Sequence, residues 1–490
     1  MNEIDMKTEP NAEANVGLKR EMGLFSAINF ILAIMIGSGI FVSPASVLKY
    51  SGSVGMCLTI WILCGLVSLL GALAFAELGT IVPRSGGQYA FFMDSFGPLH
   101  RFWGPLPAFL YSWTMIILIR PAEVAVIVMT FSEYLCQPIF DMICLNDAEI
   151  GDKVKKTLSL VALGIITYIN VRSVKLFVKV QNIFGSFKIL ACLVVIIGGA
   201  YELFLGNHKN LTKGFQGTSF APKDLALAFY SGLWAYDGWA TLTTITEEVQ
   251  RPEKNILRSI IISVPVVTGL YVFMNIAYMT VLSIPDIMAS KAVAVSFGEK
   301  VLGPFSFIIP FGVALSTFGC ALSIQFGVTR LCYVSGQDGF MLEAFSYINY
   351  KKFTPSPAVI FQGLGSFVFI LSGDLVQLIE FSSFLMWVSY GASMVSLLVL
   401  RRVKQNIFKP YQVPIWIPVF ILLVSIYLAL APIINYPDPM YLFAVFFTAA
   451  GIPVYYWFVY KKRVHRGVIG SLTYVLQVVC EAVPPQKLEM

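Results

Sequence analysis

The sequence predicts an all-α polytopic membrane protein with twelve transmembrane helices. Of its 490 residues, 57% are hydrophobic and 13% are charged, and the mean hydropathy is +0.75. Soluble domains average about 25% charged residues. Apolar runs of about 20 residues, long enough to cross a bilayer, follow one another through short loops. These observations favour one membrane domain over several soluble domains.

Twelve apolar segments, named spans 1 to 12 below, organise the chain. An N-terminal tail over residues 1–22 precedes the membrane domain, which we place at 23–461. A C-terminal tail over 462–490 follows, and its apolar residues recur at helical spacing, which predicts a helix along the membrane surface. The spans are predicted at 23–48, 54–79, 101–132, 155–172, 180–204, 223–246, 257–283, 301–334, 356–373, 376–400, 412–433 and 439–460.

Spans 1 and 6 are interrupted by glycines, at residues 35–40 (MIGSGI) and 230–238 (YSGLWAYDG). Glycine disfavours helix interiors, and hydrocarbon tolerates a broken helix only against protein or around a polar cavity. The matched positions indicate an inverted repeat of about 23–204 and about 223–400, with spans 11 and 12 (412–460) added. Paired broken helices of this kind are typical of the binding site of a secondary transporter.

Charge placement orients the chain. Lys and Arg concentrate in loops on the side of both termini, so we expect both termini in the cytoplasm, although the loop after span 3 is an exception. This orientation places the sequon Asn210-Leu211-Thr212 outside, where it is a candidate for glycosylation. A sequon arising by chance is the alternative.

The sequence contains few features that are typical of an enzyme. The three histidines lie outside the apolar runs and far apart, and no Walker motif, nucleophile elbow or CxxC pair occurs. We therefore expect no enzyme activity, no cofactor and no metal. The net charge of +6 comes from short loops between apolar runs, which argues against a nucleic-acid partner.

The first break has the chemistry of a zwitterion site. Its amides at the start of the second half-helix, with the Ser38 hydroxyl, suit a carboxylate, while the carbonyls ending the first half suit an ammonium. An amino acid fits both. The alternative is that the small residues only allow close packing, but the second break favours a binding site. The predicted substrate-binding residues are Met35, Ile36, Gly37, Ser38, Gly39, Ile40, Trp234, Ala235, Asp237 and Ala240.

Three side chains within the spans have competing interpretations. Trp234 is either a gate over the substrate or an ordinary core tryptophan. Asp237, a carboxylate in mid-span, is a functional residue or part of a structural ion pair. Lys188 is a fixed ammonium that replaces a sodium ion between spans 1 and 8, or a lysine that reaches the membrane surface.

Other charges within the spans receive no ligand role. Glu77 is expected to cap span 2, and Glu380 to line the outer vestibule or reach water. Arg120 and Glu123 are three residues apart on one helix and can pair.

In the loop after span 3, Cys144 suggests an intermolecular disulfide, with a bond to Cys136 as the alternative.

Several motifs together resemble the light subunits of the heteromeric amino-acid transporters, in the amino acid–polyamine–organocation superfamily, and its L-type and b(0,+)-type branches. The resemblance covers nearly the whole chain. The motifs are 36–44 (IGSGIFVSP), 76–79 (AELG), 85–89 (SGGQY), 119–121 (IRP), 229–236 (FYSGLWAY), 246–248 (TEE) and 292–295 (AVAV).

The resemblance implies sodium-independent amino-acid exchange at the plasma membrane and a single-span glycoprotein heavy chain linked through Cys144. It also implies that Ser38 and Gly39 bind the carboxylate, that Trp234 is the gate and that Lys188 replaces the cation.

The residues that distinguish substrate classes within the family point in different directions in this sequence. Met386 stands where the cystine/glutamate branch has an arginine, which argues against anionic substrates. Asp237 resembles the branch for neutral and cationic amino acids and cystine, whereas Ala240 departs from the usual asparagine. We expect exchange of large neutral amino acids, with cationic ones left open. The alternatives are a cystine and dibasic exchanger, an amino-acid sensor with little transport, and a sodium-coupled symporter.

Overall fold

Helices cover all twelve predicted spans in the computed structural model, which describes residues 20–143, 148–290, 292–372, 376–404, 411–435, 439–462 and 466–485. The all-α polytopic fold is thus confirmed. The helices of spans 1 to 6 are Leu24–Met35 with Gly39–Ser51, Val54–Ile81, Leu106–Thr114 with the π-turn Met115–Ile119 and Arg120–Ile143, Ala148–Arg172, Val174–Phe204, and Pro222–Ala235 with the 3₁₀ segment Thr241–Glu248. Those of spans 7 to 12 are Pro252–Val281, Ile308–Gln337, Ser356–Ser372, Val376–Val403, Trp416–Asn435, and Pro439–Val454 with the π-turn Tyr455–Tyr460.

Length and hydropathy alone support fewer complete spans than twelve. Within the described residues, eight helices are long and apolar enough to cross a membrane, and the bent pair of span 1 makes a ninth. Spans 6, 9 and 11 are the remaining three, because span 6 is broken and the other two are short. The number twelve and the inverted repeat therefore stay predictions.

Several short elements were not foreseen. A helix at Gln88–Phe96 follows span 2, and two helices, Ile284–Ala289 and Val293–Val301, separate spans 7 and 8. The predicted C-terminal helix is present as Arg466–Cys480, but a two-residue strand follows it and pairs antiparallel with residues 348–349. Two residues carry no periodic pattern, so only the tertiary structure shows such a pairing.

Candidate substrate site

The first break separates two half-helices that meet at 47°. Within the described part of the chain, the backbone amides of Ser38, Gly39 and Ile40 have no backbone hydrogen-bond partner. This follows from helix geometry, because the first amides of a helix have no carbonyl one turn earlier. Ser38 and Gly39 line a cavity near the break. The predicted concentration of amide donors is therefore present where the sequence placed it.

Glycines allow the two breaks to pack against each other. A Cβ atom on Gly39 would lie 2.7 Å from the Cα atom of Ala235. Conversely, a Cβ atom on Gly238, whose φ is +116°, would lie 2.5 Å from Cγ2 of Ile34. The close packing that the sequence offered as the alternative role of the small residues in the first break is therefore present at Gly39.

Tyr271 of span 7 serves both breaks. Its buried hydroxyl donates towards the carbonyl oxygens of Met35 at 2.7 Å and Ala235 at 3.0 Å, the last helical residues before each break. These carbonyls lost their helical partners at the interruption, and a buried tyrosine hydroxyl needs a partner. Tyr271 was not predicted from the sequence, because a tyrosine in an apolar span is typical of an ordinary aromatic residue of the core.

Lys188 is fully buried and bonds to the backbone of span 1. Its ammonium donates to the carbonyls of Ala33 and, at 3.0 Å, of Ile36. The hydroxyl of Ser316 in span 8 donates to the same Ile36 oxygen at 2.7 Å. A cation belonging to the protein therefore lies against the broken part of span 1, where span 8 also contacts it. This burial rules out the alternative that Lys188 extends to the membrane surface.

A cavity of about 540 Å³ opens from the breaks towards Ser46 and Thr130. Pockets of about 300–1,000 Å³ suit small-molecule ligands. Seven of the ten predicted contact residues line it: Met35, Gly37, Ser38, Gly39, Trp234, Ala235 and Asp237.

The structure places the other three predicted residues away from the described cavity lining. Ile36 and Ile40 have fully buried side chains in the hydrophobic core. Their position follows from helix geometry, since neighbouring residues cannot all face one side. Ala240 precedes the 3₁₀ segment, and its carbonyl accepts hydrogen bonds from Thr243.

Asp237 faces a small recess at one end of the cavity. The hydroxyl of Tyr390 in span 10 donates to its carboxylate at 2.5 Å. Trp234 and Met386 line both the recess and the main cavity. Asp237 is therefore held by a neutral donor at the cavity lining. Tyr390 was not foreseen, because 153 residues separate it from Asp237.

Three other charged residues within the described spans, Glu77, Arg120 and Glu123, form ion pairs. Arg120 donates to Glu123 at 2.7 Å, which confirms their predicted pairing. Glu77 pairs with Arg401 at 2.6 Å and accepts from the Val413 amide at 2.8 Å, so it joins spans 2, 10 and 11. Its expected role as a cap is wrong, because the helix continues to Ile81.

Polar contacts join spans 2, 6 and 8 at one end of the bundle. Ser85 and Glu247 exchange two hydrogen bonds, of 3.0 and 3.1 Å, between the loop after span 2 and the second half of span 6. Arg84 pairs with Asp338 at the end of span 8, at 2.7 Å. Two further contacts join this region: the bridge of Met22 with Val249, and the buried ion pair of Arg330 with Glu248.

The predicted glycosylation site is not among the residues that line the described cavity. The amide nitrogen of Asn210 donates to the carbonyls of Met279 at 3.2 Å and Leu282 at 2.8 Å. A glycan would replace one of its two hydrogens, so both bonds could not persist. Cys144 lies outside the described residues, as does the side chain of Glu380.

Fold and cavity together define the class of protein. A polytopic helical bundle with two broken helices around a ligand-sized cavity is the architecture of a secondary transporter. A family model described as amino acid permease matches residues 22–460, and the chain belongs to this family.

Characterised relatives match over nearly their whole length. The b(0,+)-type amino acid transporter 1 of Mus musculus is 42% identical, covering 99% of this chain and 97% of the relative. The cystine/glutamate transporter of Homo sapiens is 38% identical, covering 98% and 93%. The large neutral amino acids transporter small subunit 2 of Mus musculus is 38% identical, covering 98% and 90%.

Proposed function

We propose that this protein is a sodium-independent exchanger of amino acids at the plasma membrane, working by alternating access with both termini in the cytoplasm. Its substrates are large neutral amino acids and, through Asp237, cationic ones. One observation carries the proposal: the unpaired amides of Ser38 and Gly39 line the same cavity as the Asp237 carboxylate. The amides suit the substrate carboxylate and Trp234 covers it as the gate. The substrate leaves chemically unchanged, so no enzyme activity, cofactor or metal is part of the proposal.

Lys188 supports independence from sodium. Its ammonium already donates hydrogen bonds to the carbonyl oxygens of span 1 that a sodium ion would otherwise contact. The names of the relatives support amino acids as the substrate class. They name b(0,+)-type, cystine/glutamate and large neutral amino acid transporters. Cystine has a distal ammonium that Asp237 could also bind, so a cystine and dibasic exchanger is the second candidate.

Flux measurements in liposomes test the proposal. We expect labelled leucine and lysine to enter vesicles that contain unlabelled amino acid, and not to enter empty vesicles. Binding without flux would support the sensor, and dependence on sodium would support the symporter. Competition by cystine in the same assay separates the two substrate classes.

Asp237→Asn is expected to reduce lysine uptake about tenfold more than leucine uptake. A hydrogen bond to a charged group contributes about 1.5–3 kcal/mol, and about 1.4 kcal/mol corresponds to tenfold. Leucine has no side-chain charge to lose. The measurement is uptake of both substrates by one preparation. The control Tyr390→Phe keeps the carboxylate and is expected to leave the ratio of lysine uptake to leucine uptake unchanged. Equal losses for the two substrates would assign Asp237 to the shared ammonium or to structure.

We further propose that a single-span glycoprotein heavy chain is linked through Cys144. This proposal rests on the resemblance to the light subunits of the heteromeric amino-acid transporters, and one relative is itself named a small subunit. Cys144→Ser should abolish a high-mass species on non-reducing gels of cells that produce the partner. Cys136→Ser, which changes a buried cysteine of the same region, should leave this species intact. Persistence of the band in Cys144→Ser would assign the bond to another cysteine.

A further inference from the structure

The ion pair of Arg120 and Glu123 lies at the cavity, where the proposed function does not use it. Glu123 lines the cavity, and the exposed fractions of the Arg120 and Glu123 side chains are only 11% and 17%. The π-helical turn Met115–Ile119 directly precedes Arg120. Such turns change the register of a helix and are frequent at functional sites. An ion pair that only stabilised the bundle would not need to face the ligand volume.

Arg120 also contacts a residue that lines the recess containing Asp237. Its guanidinium lies 4.0 Å from the sulfur of Met386, which lines both the recess and the cavity. The guanidinium is therefore one side chain away from the volume that we assign to the substrate side chain. Glu123 lies on the cavity side of this arginine.

The pairing decides which charge the cavity presents. Arginine binds carboxylates strongly because its planar group donates parallel hydrogen bonds. Here one hydrogen bond of the guanidinium goes to the Glu123 carboxylate at 2.7 Å. With the pair neutral overall, the charge left at this end of the cavity is that of Asp237. Without Glu123, a guanidinium in a poorly hydrated site would be unpaired, and an unpaired buried charge is costly.

We propose that Glu123 is a specificity-determining residue that excludes acidic amino acids by occupying the guanidinium of Arg120. Glu123 thus takes the place that the side-chain carboxylate of glutamate would otherwise fill. The inference rests on the proposed function, because it assumes that the substrate side chain points towards the recess. It adds a residue, Glu123, that rejects the acidic substrates which Met386 already argues against.

The test compares uptake of labelled glutamate, leucine and lysine by the full chain in liposomes. Glu123→Gln should raise glutamate uptake at least about tenfold above that of the unchanged protein, since one charged hydrogen bond corresponds to about tenfold or more. The same variant should reduce lysine uptake, because the unpaired arginine repels a cation. Adding Arg120→Gln to Glu123→Gln should return glutamate uptake to background.

A matched control removes a carboxylate from the same helix but outside the cavity. Glu133 is 59% exposed and pairs with Lys155 at 2.7 Å, so Glu133→Gln should not admit glutamate. Glutamate uptake at background in Glu123→Gln, with leucine uptake retained, overturns the inference and leaves the proposed function intact. Loss of leucine uptake in both Glu123→Gln and the double variant also overturns it, because the pair would then be structural. Failure of the unchanged protein to exchange leucine would instead overturn the proposed function.

Discussion

Gly39→Ala should reduce leucine uptake roughly 10- to 100-fold for each protein molecule in the membrane. The added methyl group would lie 2.7 Å from the Cα atom of Ala235, and backbone cannot move aside as a flexible side chain can. Overpacking of this kind costs about 1–3 kcal/mol, and about 1.4 kcal/mol is tenfold. The strain acts where the two breaks contact each other, so it separates the groups that surround the substrate.

The control for Gly39→Ala is Gly164→Ala in span 4. No atom lies within 4 Å of a Cβ placed on Gly164, so this methyl group meets open space. We expect uptake and the thermal midpoint of the purified protein to remain unchanged in this variant. Uptake of Gly39→Ala at the level of the unchanged protein would contradict the close approach of the two breaks.

Lys188→Ala should lower leucine uptake in sodium-free medium about tenfold or more. The change removes the Lys188 donor from the Ala33 carbonyl and one of the two donors of the Ile36 carbonyl, which keeps Ser316. A buried polar group without a partner costs about 1–3 kcal/mol. The change also leaves a space lined by carbonyl oxygens next to span 8. We therefore expect sodium to restore part of the uptake in this variant, measured by replacing choline with sodium.

Lys179→Ala provides the comparison, because Lys179 lies on the same span but is exposed. It should transport normally with and without sodium. If sodium leaves Lys188→Ala unchanged, Lys188 stabilises the break without replacing a cation. If uptake itself is unchanged, its hydrogen bonds to span 1 have no role in transport.

Local features of the chain were predictable from sequence. Glycine interrupts helices through its own backbone freedom, so the break around Gly37 and Gly39 could be placed within a few residues. The length of the apolar segments identified the spans, because crossing the hydrocarbon core requires a continuous run of apolar residues. Arg120 and Glu123 were paired from their spacing on one helix. Each of these inferences needs only neighbours in the sequence.

The partners of these features were not predictable, because they come from distant parts of the chain. Glu77 pairs with Arg401, which is 324 residues away, and the same carboxylate was read as a helix cap. Tyr271 and Tyr390 look like ordinary aromatic residues until the fold brings them to a broken helix and a carboxylate. Ile40 was assigned to the site for its position in the break, but the helix turns its side chain into the core.

The hydroxyl of Tyr271 has one proton for two acceptors, the carbonyls of Met35 and Ala235. Any rearrangement that increases the separation of these carbonyls must leave the proton with only one of them. The Met35 oxygen would keep the Gly37 amide as a donor, at 2.9 Å, whereas the Ala235 oxygen would lose the phenol. Under the proposed function, an arriving ammonium would compete with the phenol for the Ala235 oxygen. Binding of the ligand and the contact between the two breaks would then be coupled through a single proton.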